Sequence, residues 1–257
     1  MATLTIGMME TVSAKDITID SKTLGGLKKA VETVENGGTI YLKDGVYKGE
    51  SNTNITIGKN INIRGLGSNV ILDGQGKKSF FTLIGDKASL KNLKFRNGYS
   101  GLGGAIGSFE CRLIVDSCTF TNNKAKYAGA ISSTNSTLTV INCTFTNNRG
   151  TESGGAIDSF GGNVAVSKST FKNNKAGHGA AISSSSDFTV SRSTFTNNKA
   201  TESGGAIFVF GNSMKITNTN FKNNIADKVY NAIDKHKGKI TTKNVKITPK
   251  EGTKVKK

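Results

Sequence analysis

FTNNKA (120–125), FTNNRG (145–150), FKNNKA (171–176) and FTNNKA again (195–200) repeat one short phrase almost unchanged. Aligning on its phenylalanine and reading outward adds one member at each end, giving Phe95, Phe120, Phe145, Phe171, Phe195 and Phe221, at steps of 25, 25, 26, 24 and 26 residues. A second phrase, GGAI and its variants, keeps the same beat through Ile106, Ile131, Ile157, Ile182, Ile207 and Ile233, at steps of 25, 26, 25, 25 and 26. Two independent anchors with one period mark a repeat architecture.

Between the anchors lie apolar pairs two residues apart: Leu113/Val115, Leu138/Val140, Val164/Val166, Phe188/Val190 and Met214/Ile216. Two residues before each Phe stands Leu93, Cys118, Cys143, Ser169, Ser193 or Thr219. That alternation is the mark of strands with one face in and one face out. Each repeat therefore holds three short strands, around GGAI, around LxV and around CTF, and has no room for a helix between them. The expected fold is all-β: a right-handed parallel β-helix of about eight coils, stacked at about 4.8 Å. Ile, Val and Phe ladders fill its interior, and burying each such side chain is worth about 1.5–3 kcal/mol. The Asn pairs after each Phe fall at a corner, where Asn tolerates left-handed backbone and stacked amides can bond along the axis.

A solenoid needs its apolar ends covered. Leu24 to Glu35 carries apolar residues at 24, 27, 31 and 34, a helical stripe expected to cap the N-terminal end. The regular coils are expected over about 95–235 of a β-helix domain spanning 15–248, with a basic tail at 249–257. Residues 1–14 end in Val12-Ser13-Ala14, which reads as the remnant of a signal peptide or a disordered lead. Export is the expectation, to the cell surface or beyond it. No apolar run reaches membrane-spanning length.

The paired GGAI and FTNN phrases resemble the repeats of the chlamydial polymorphic outer-membrane proteins. The wider order, DGVY, then INIRGLG, then coils of GGAI…NCTFTNN, is similar to the adhesin-like proteins of methanogenic archaea. Both belong with the pectate-lyase-like parallel β-helices, and the resemblance covers roughly residues 36–248. It implies a surface or secreted module that holds glycan or another cell surface without catalysis. The same superfamily includes polysaccharide lyases, hydrolases and epimerases, so an enzyme is the alternative.

The formal net charge is +17 at pH 7, which attracts polyanions. The position four after Phe holds Lys124, Arg149, Lys175 and Lys199. Stacked a coil apart, neighbouring charges would repel by up to ~1 kcal/mol in water. The partner expected for such a ridge is acidic polysaccharide or a cell-surface glycan, not nucleic acid, bound by a monomer. Lys168 and Arg192 form a shorter second row. Phe109, Phe160 and Phe210 each lie three residues after a GGAI isoleucine and turn outward if the strand runs that far. There they could stack on sugar rings; a turn that folds the rings over a corner is the competing expectation.

Catalytic residues are not expected. Under the enzyme reading the candidates are Glu152 and Glu202, which share a place in TESGGAI two coils apart, and His178 in the coil between. Carboxylates about 10 Å apart sit at the upper end of the spacing used by inverting glycosidases. Asp158 stands nearly alone on its face. No metal spacing and no cofactor motif is present. Cys118 and Cys143 share an inward position on adjacent coils, close enough for a disulfide; their alignment with Leu93, Ser169 and Ser193 points to core filling, and Cys111 has no mate. Outward TxT pairs at 119/121, 144/146 and 194/196 are interrupted by Lys172, Asn220 and Lys222, which argues against an ice-binding array. Three sequons, at Asn54, Asn135 and Asn142, matter only if the chain is exported.

Overall fold

The computed structural model describes residues 15–248 except 212, 230, 231 and 237. The expected signal remnant and the basic tail lie outside the described residues. The chain winds as a parallel β-solenoid of about nine turns with three sheets, one turn more than the eight read from the periodicity. The extra winding comes from irregular early coils, where Ile17–Ile19 already pairs in parallel with Thr39–Leu42.

Each coil contributes to three faces, but the faces divide the sequence differently from the expected grouping. Sheet B is built from the GGAI strands, with Ile106, Ile131, Ile157, Ile182, Ile207 and Ile233 in one register column. The LxV and CTF strands lie together on sheet A, which bends between them. The bend is a single left-handed residue: Asn92, Ser117, Asn142, Lys168, Arg192, Asn218 or Asn244. The third face, sheet C, comes from the segment just after the Asn pair, such as Lys124–Tyr127 and Lys199–Ser203. Its polar composition hides it from a search for apolar alternation, because its buried positions hold only small residues, among them Ala125, Gly150, Ala176, Ala200, Ser203 and Ala226.

The Phe column is the spine of the core. Phe95, Phe120, Phe145, Phe171, Phe195 and Phe221 stack with ring centroids 4.7–4.9 Å apart and planes within 10°. The two residues of each Asn pair do different work. The first is left-handed and turns the corner: Asn122, Asn147, Asn173, Asn197 and Asn223 have φ of 53–57°. The second points inward and is buried. Asn148 Nδ2 donates to Phe120 O at 3.0 Å and to Asn174 Oδ1 at 3.0 Å, while its own Oδ1 accepts from Asn123 N and Nδ2. The same bonds recur from Asn123 to Asn224, so buried corner amides are satisfied along the axis.

Helix α1 (Gly26–Thr33) lies over the N-terminal end of the core with Leu27, Ala30 and Val31 buried. Asn52 Oδ1 accepts from Leu27 N at 3.0 Å and so serves a free donor of its first turn. Leu24, placed in the apolar stripe by spacing alone, is instead exposed, because the helix starts after it and Ala30 takes its place. All three cysteines are free thiols in the core. Cys118 and Cys143 donate to the carbonyls of Asp116 and Ile141, the bond that Ser169, Ser193 and Thr219 make to the residue two before each of them. No helix among the described residues is long and apolar enough to cross a membrane.

Candidate functional site

A coil with three faces has three corners, and the candidate residues named by the sequence divide among them.

At the A–C corner the phrase FTNNKA dictates the layout. After the left-handed Asn and the inward Asn, the next residue must point out. It is exposed in every regular coil. Register pairing stacks Tyr99, Lys124, Arg149, Lys175, Lys199 and Ile225 in one column. The four cations are thus consecutive, one per coil, about 4.8 Å apart. Beside them runs the outer Asn column, and the two enclose a cleft of about 560 Å³ lined by Asn122, Asn147, Asn173, Asn197, Lys124, Arg149 and Lys175. A second cleft of about 570 Å³ continues it past Tyr99 to Asp73 and Gln75. Lys199 pairs with Asp227 at 3.1 Å, so the column is partly neutralised at that end. Tyr99 was not picked out by the sequence reading, although it holds the same offset from Phe95 as the cations hold from their own Phe. It heads the column with an exposed ring. Lys168 and Arg192 lie on a different line, the bend within sheet A.

At the B–A corner the strands Ile106–Phe109 and Ile157–Phe160 reach the phenylalanines, so these side chains turn outward instead of folding over a turn. Phe109, Thr134 and Phe160 are register partners. The column goes on through Ser185 and Phe210, because Ser185 N donates to Ser159 O and Phe210 N to Ser184 O. Phe160 is 68% exposed and Phe210 45%. This corner is not the cationic one. The structure does not bring the two ligand-binding sets of the sequence reading together.

At the C–B corner, register places His178 between Ser153 and Ser203. Those serines directly follow Glu152 and Glu202, so the two glutamates sit one residue away from the histidine column. Glu202 is engaged by Lys228 at 2.7 Å, and Glu152 is exposed. His178 is held differently: its Nδ1 lies 3.0 Å from Ser203 Oγ and its ring 5.2 Å from that of Phe208. Asp158 is less isolated than its place in the sequence suggests. Ser153 Oγ donates to it at 2.8 Å, and Ser183, its neighbour in the next coil, also bonds to it. Burial raises the Asp158 carboxyl above its ordinary value, against the opposing pull of those two hydroxyls. A carboxyl whose pKa burial raises and an oriented imidazole therefore share this corner. Among the described residues, no three His, Cys, Asp or Glu side chains come together to hold a metal ion.

Residues 44–247 match the protein family described as the right handed beta helix region. No curated protein matches the chain. Among solved structures, the fold is similar to the PL6 family alginate lyase AlyGC, with 15% identity and a TM-score of 0.47, over 91% of this chain and 40% of that one. It is also similar to a mannuronic acid specific family 6 polysaccharide lyase from human gut microbiota, with 14% identity and a TM-score of 0.43, over 81% of this chain and 64% of the lyase. The chain thus spans well under two thirds of the first of these enzymes.

Proposed function

We propose, from the premise that the chain belongs to the right-handed β-helix family, that it is a polysaccharide-binding module of a cell surface or its surroundings. It holds an acidic polysaccharide along the A–C corner, without catalysis, in the manner of an adhesin. The observation that carries this reading is the unbroken column Lys124, Arg149, Lys175 and Lys199 beside a cleft lined with asparagine amides. Stacked like charges repel in the free protein, and a polymer bearing carboxylates or sulfates along the axis would relieve that repulsion at each coil. The amides of the outer Asn column supply donors and acceptors for sugar hydroxyls. Each contact is weak, and their sum along one chain gives retention. Tyr99 supplies a ring at the head of the column. The test is retention on an array of acidic and neutral glycans at low and high salt. Screening by salt should weaken binding to the acidic members. Equal retention after replacing the four cations by glutamine would reject the reading.

The second reading is a polysaccharide lyase, hydrolase or epimerase. The solved structures named above are an alginate lyase and a mannuronic acid specific polysaccharide lyase; here the reading stands on the C–B corner itself. Asp158 with a raised pKa and His178 fixed by Ser203 are the pairing expected of an acid and a base. Glu152 and Glu202 flank them. Incubation with alginate and polygalacturonate, followed by ultraviolet absorbance of unsaturated ends and by reducing-sugar assay, separates the two readings. Turnover that Asp158→Asn or His178→Gln abolishes would establish the enzyme. Binding without turnover supports the adhesin-like module.

A further inference from the structure

The B–A corner carries a pattern that the cationic edge does not explain. Its outward column alternates between ring and hydroxyl: Phe109, Thr134, Phe160, Ser185, Phe210. The rings are two coils apart, roughly 10 Å. Ile84 extends the apolar line one coil below Phe109 and is 48% exposed. At the other end the ring of His236 stacks on Phe210 with centroids 5.3 Å apart. Gly107, two residues before Phe109 on the outward face, has no side chain. A Cβ built there would lie 3.3 Å from the Phe109 ring, which therefore lies down over the strand. The turn that follows this column carries exposed Asp86, Glu110 and Asp187 against exposed Lys87 and Arg112, so charges of both signs nearly cancel at this corner although the molecule is strongly basic.

We propose that this corner is a second carbohydrate-binding edge, and that it takes a neutral, extended, equatorially linked glycan of the cellulose, chitin or mannan type. In such a chain successive sugars are flipped, so the same apolar ring face returns every second residue. Two coils of the solenoid span about the length of two such sugars. Rings at alternate coils meet like faces, and the hydroxyls of Thr134 and Ser185 meet the polar edges between them. With Lys87 and Arg112 offsetting Asp86, Glu110 and Asp187, the corner has no net positive charge to draw a polyanion, and a neutral polymer meets no electrostatic barrier. The proposal does not depend on the cationic column, which lies at another corner and takes a ligand of opposite character.

The test is depletion of the whole chain by insoluble cellulose, chitin and mannan, in low and high salt. Retention on at least one of them, undiminished by salt, is expected. Phe160→Ser and Phe109→Ser should each weaken it about tenfold, while Phe160→Tyr, which keeps the ring, should preserve it. Phe160 is so exposed that its replacement leaves the fold intact, to be checked by the unfolding midpoint. Replacing Lys124 and Arg149 by glutamine should leave binding to neutral glycans unchanged, which separates a failure here from a failure of the acidic-polysaccharide reading. The proposal is overturned by no retention on any neutral glycan, or by retention that survives Phe109→Ser with Phe160→Ser. It is also overturned by sedimentation showing a dimer that Phe160→Ser dissociates, since a second copy would then be what covers the rings.

Discussion

Adjacent, identical residues carry different loads in this chain. Asn147 and Asn148 are the same amino acid in the same phrase, yet one faces solvent in a left-handed turn and the other is buried in a ladder of amides. Removing the Asn148 amide orphans the buried Asn123 backbone donor, worth about 1–3 kcal/mol, and takes one further bond each from the Phe120 carbonyl and the Asn123 and Asn174 amides. Asn148→Ala should therefore cost about 3 kcal/mol or more in urea unfolding. Asn147→Ala should cost only about 1 kcal/mol, the strain of a left-handed alanine. Costs that came out equal would contradict the division of roles. The cysteines make the complementary case. Their thiols stand where Ser169 and Ser193 stand and make the same local bond, so Cys118→Ser and Cys143→Ser should each change stability by less than about 1 kcal/mol. Burial raises all three thiols, Cys143 to about 12. A thiol reagent should therefore leave the native protein unmodified and label all three cysteines once it is unfolded.

At the scale of elements, the legible features were those with a period. The Phe and Ile columns followed directly from the sequence, because side chains one coil apart must superpose. Sheet C was hidden, since its inward positions hold only small residues and its outward ones are charged. The candidate residues were legible as rows but not as sites. Linear spacing says which residues stack and not which corner they occupy, so the row of Arg149 and the row of Phe160 were legible while their separation onto two corners was not. Asp158 was passed over because its partners Ser153 and Ser183 lie in different strands and look like ordinary scaffold. Its raised carboxyl has a measurable sign. The folded state holds the Asp158 proton more tightly than the unfolded chain does. This contribution to stability is complete below the unfolded value of 3.8 and is lost as pH rises through the raised native value. Asp158→Asn should therefore raise the unfolding midpoint at neutral pH, with the gain disappearing below about pH 4. Asp73, lowered by bonds from Gln75 N, Asn97 and Arg96 that outweigh its burial, has the opposite sign. Its contribution is present above the unfolded value and is lost as pH falls through the native one, so Asp73→Asn should be costly at neutral pH and nearly silent in acid.

At the scale of the whole molecule, a solenoid converts a repeated word into straight rows of side chains with a fixed pitch. The inner rows make the core, and their stacking is indifferent to ligand. The outer rows are what the molecule presents to its surroundings, and each corner presents one chemistry: cations and amides, aromatic rings, or a histidine with a half-buried carboxyl. A linear polymer suits such a surface because it repeats along one axis as the protein does. Length dependence follows. An acidic oligosaccharide long enough to span the four cationic coils should bind much more tightly than one that reaches two. The most direct measurement is calorimetric titration of the chain with such oligosaccharides of defined length, alongside the variant with Lys124, Arg149, Lys175 and Lys199 all changed to glutamine. Affinity that rises with length up to the span of the column, falls with salt and disappears in the variant is the predicted result. Affinity indifferent to length, or retained in the variant, would contradict it.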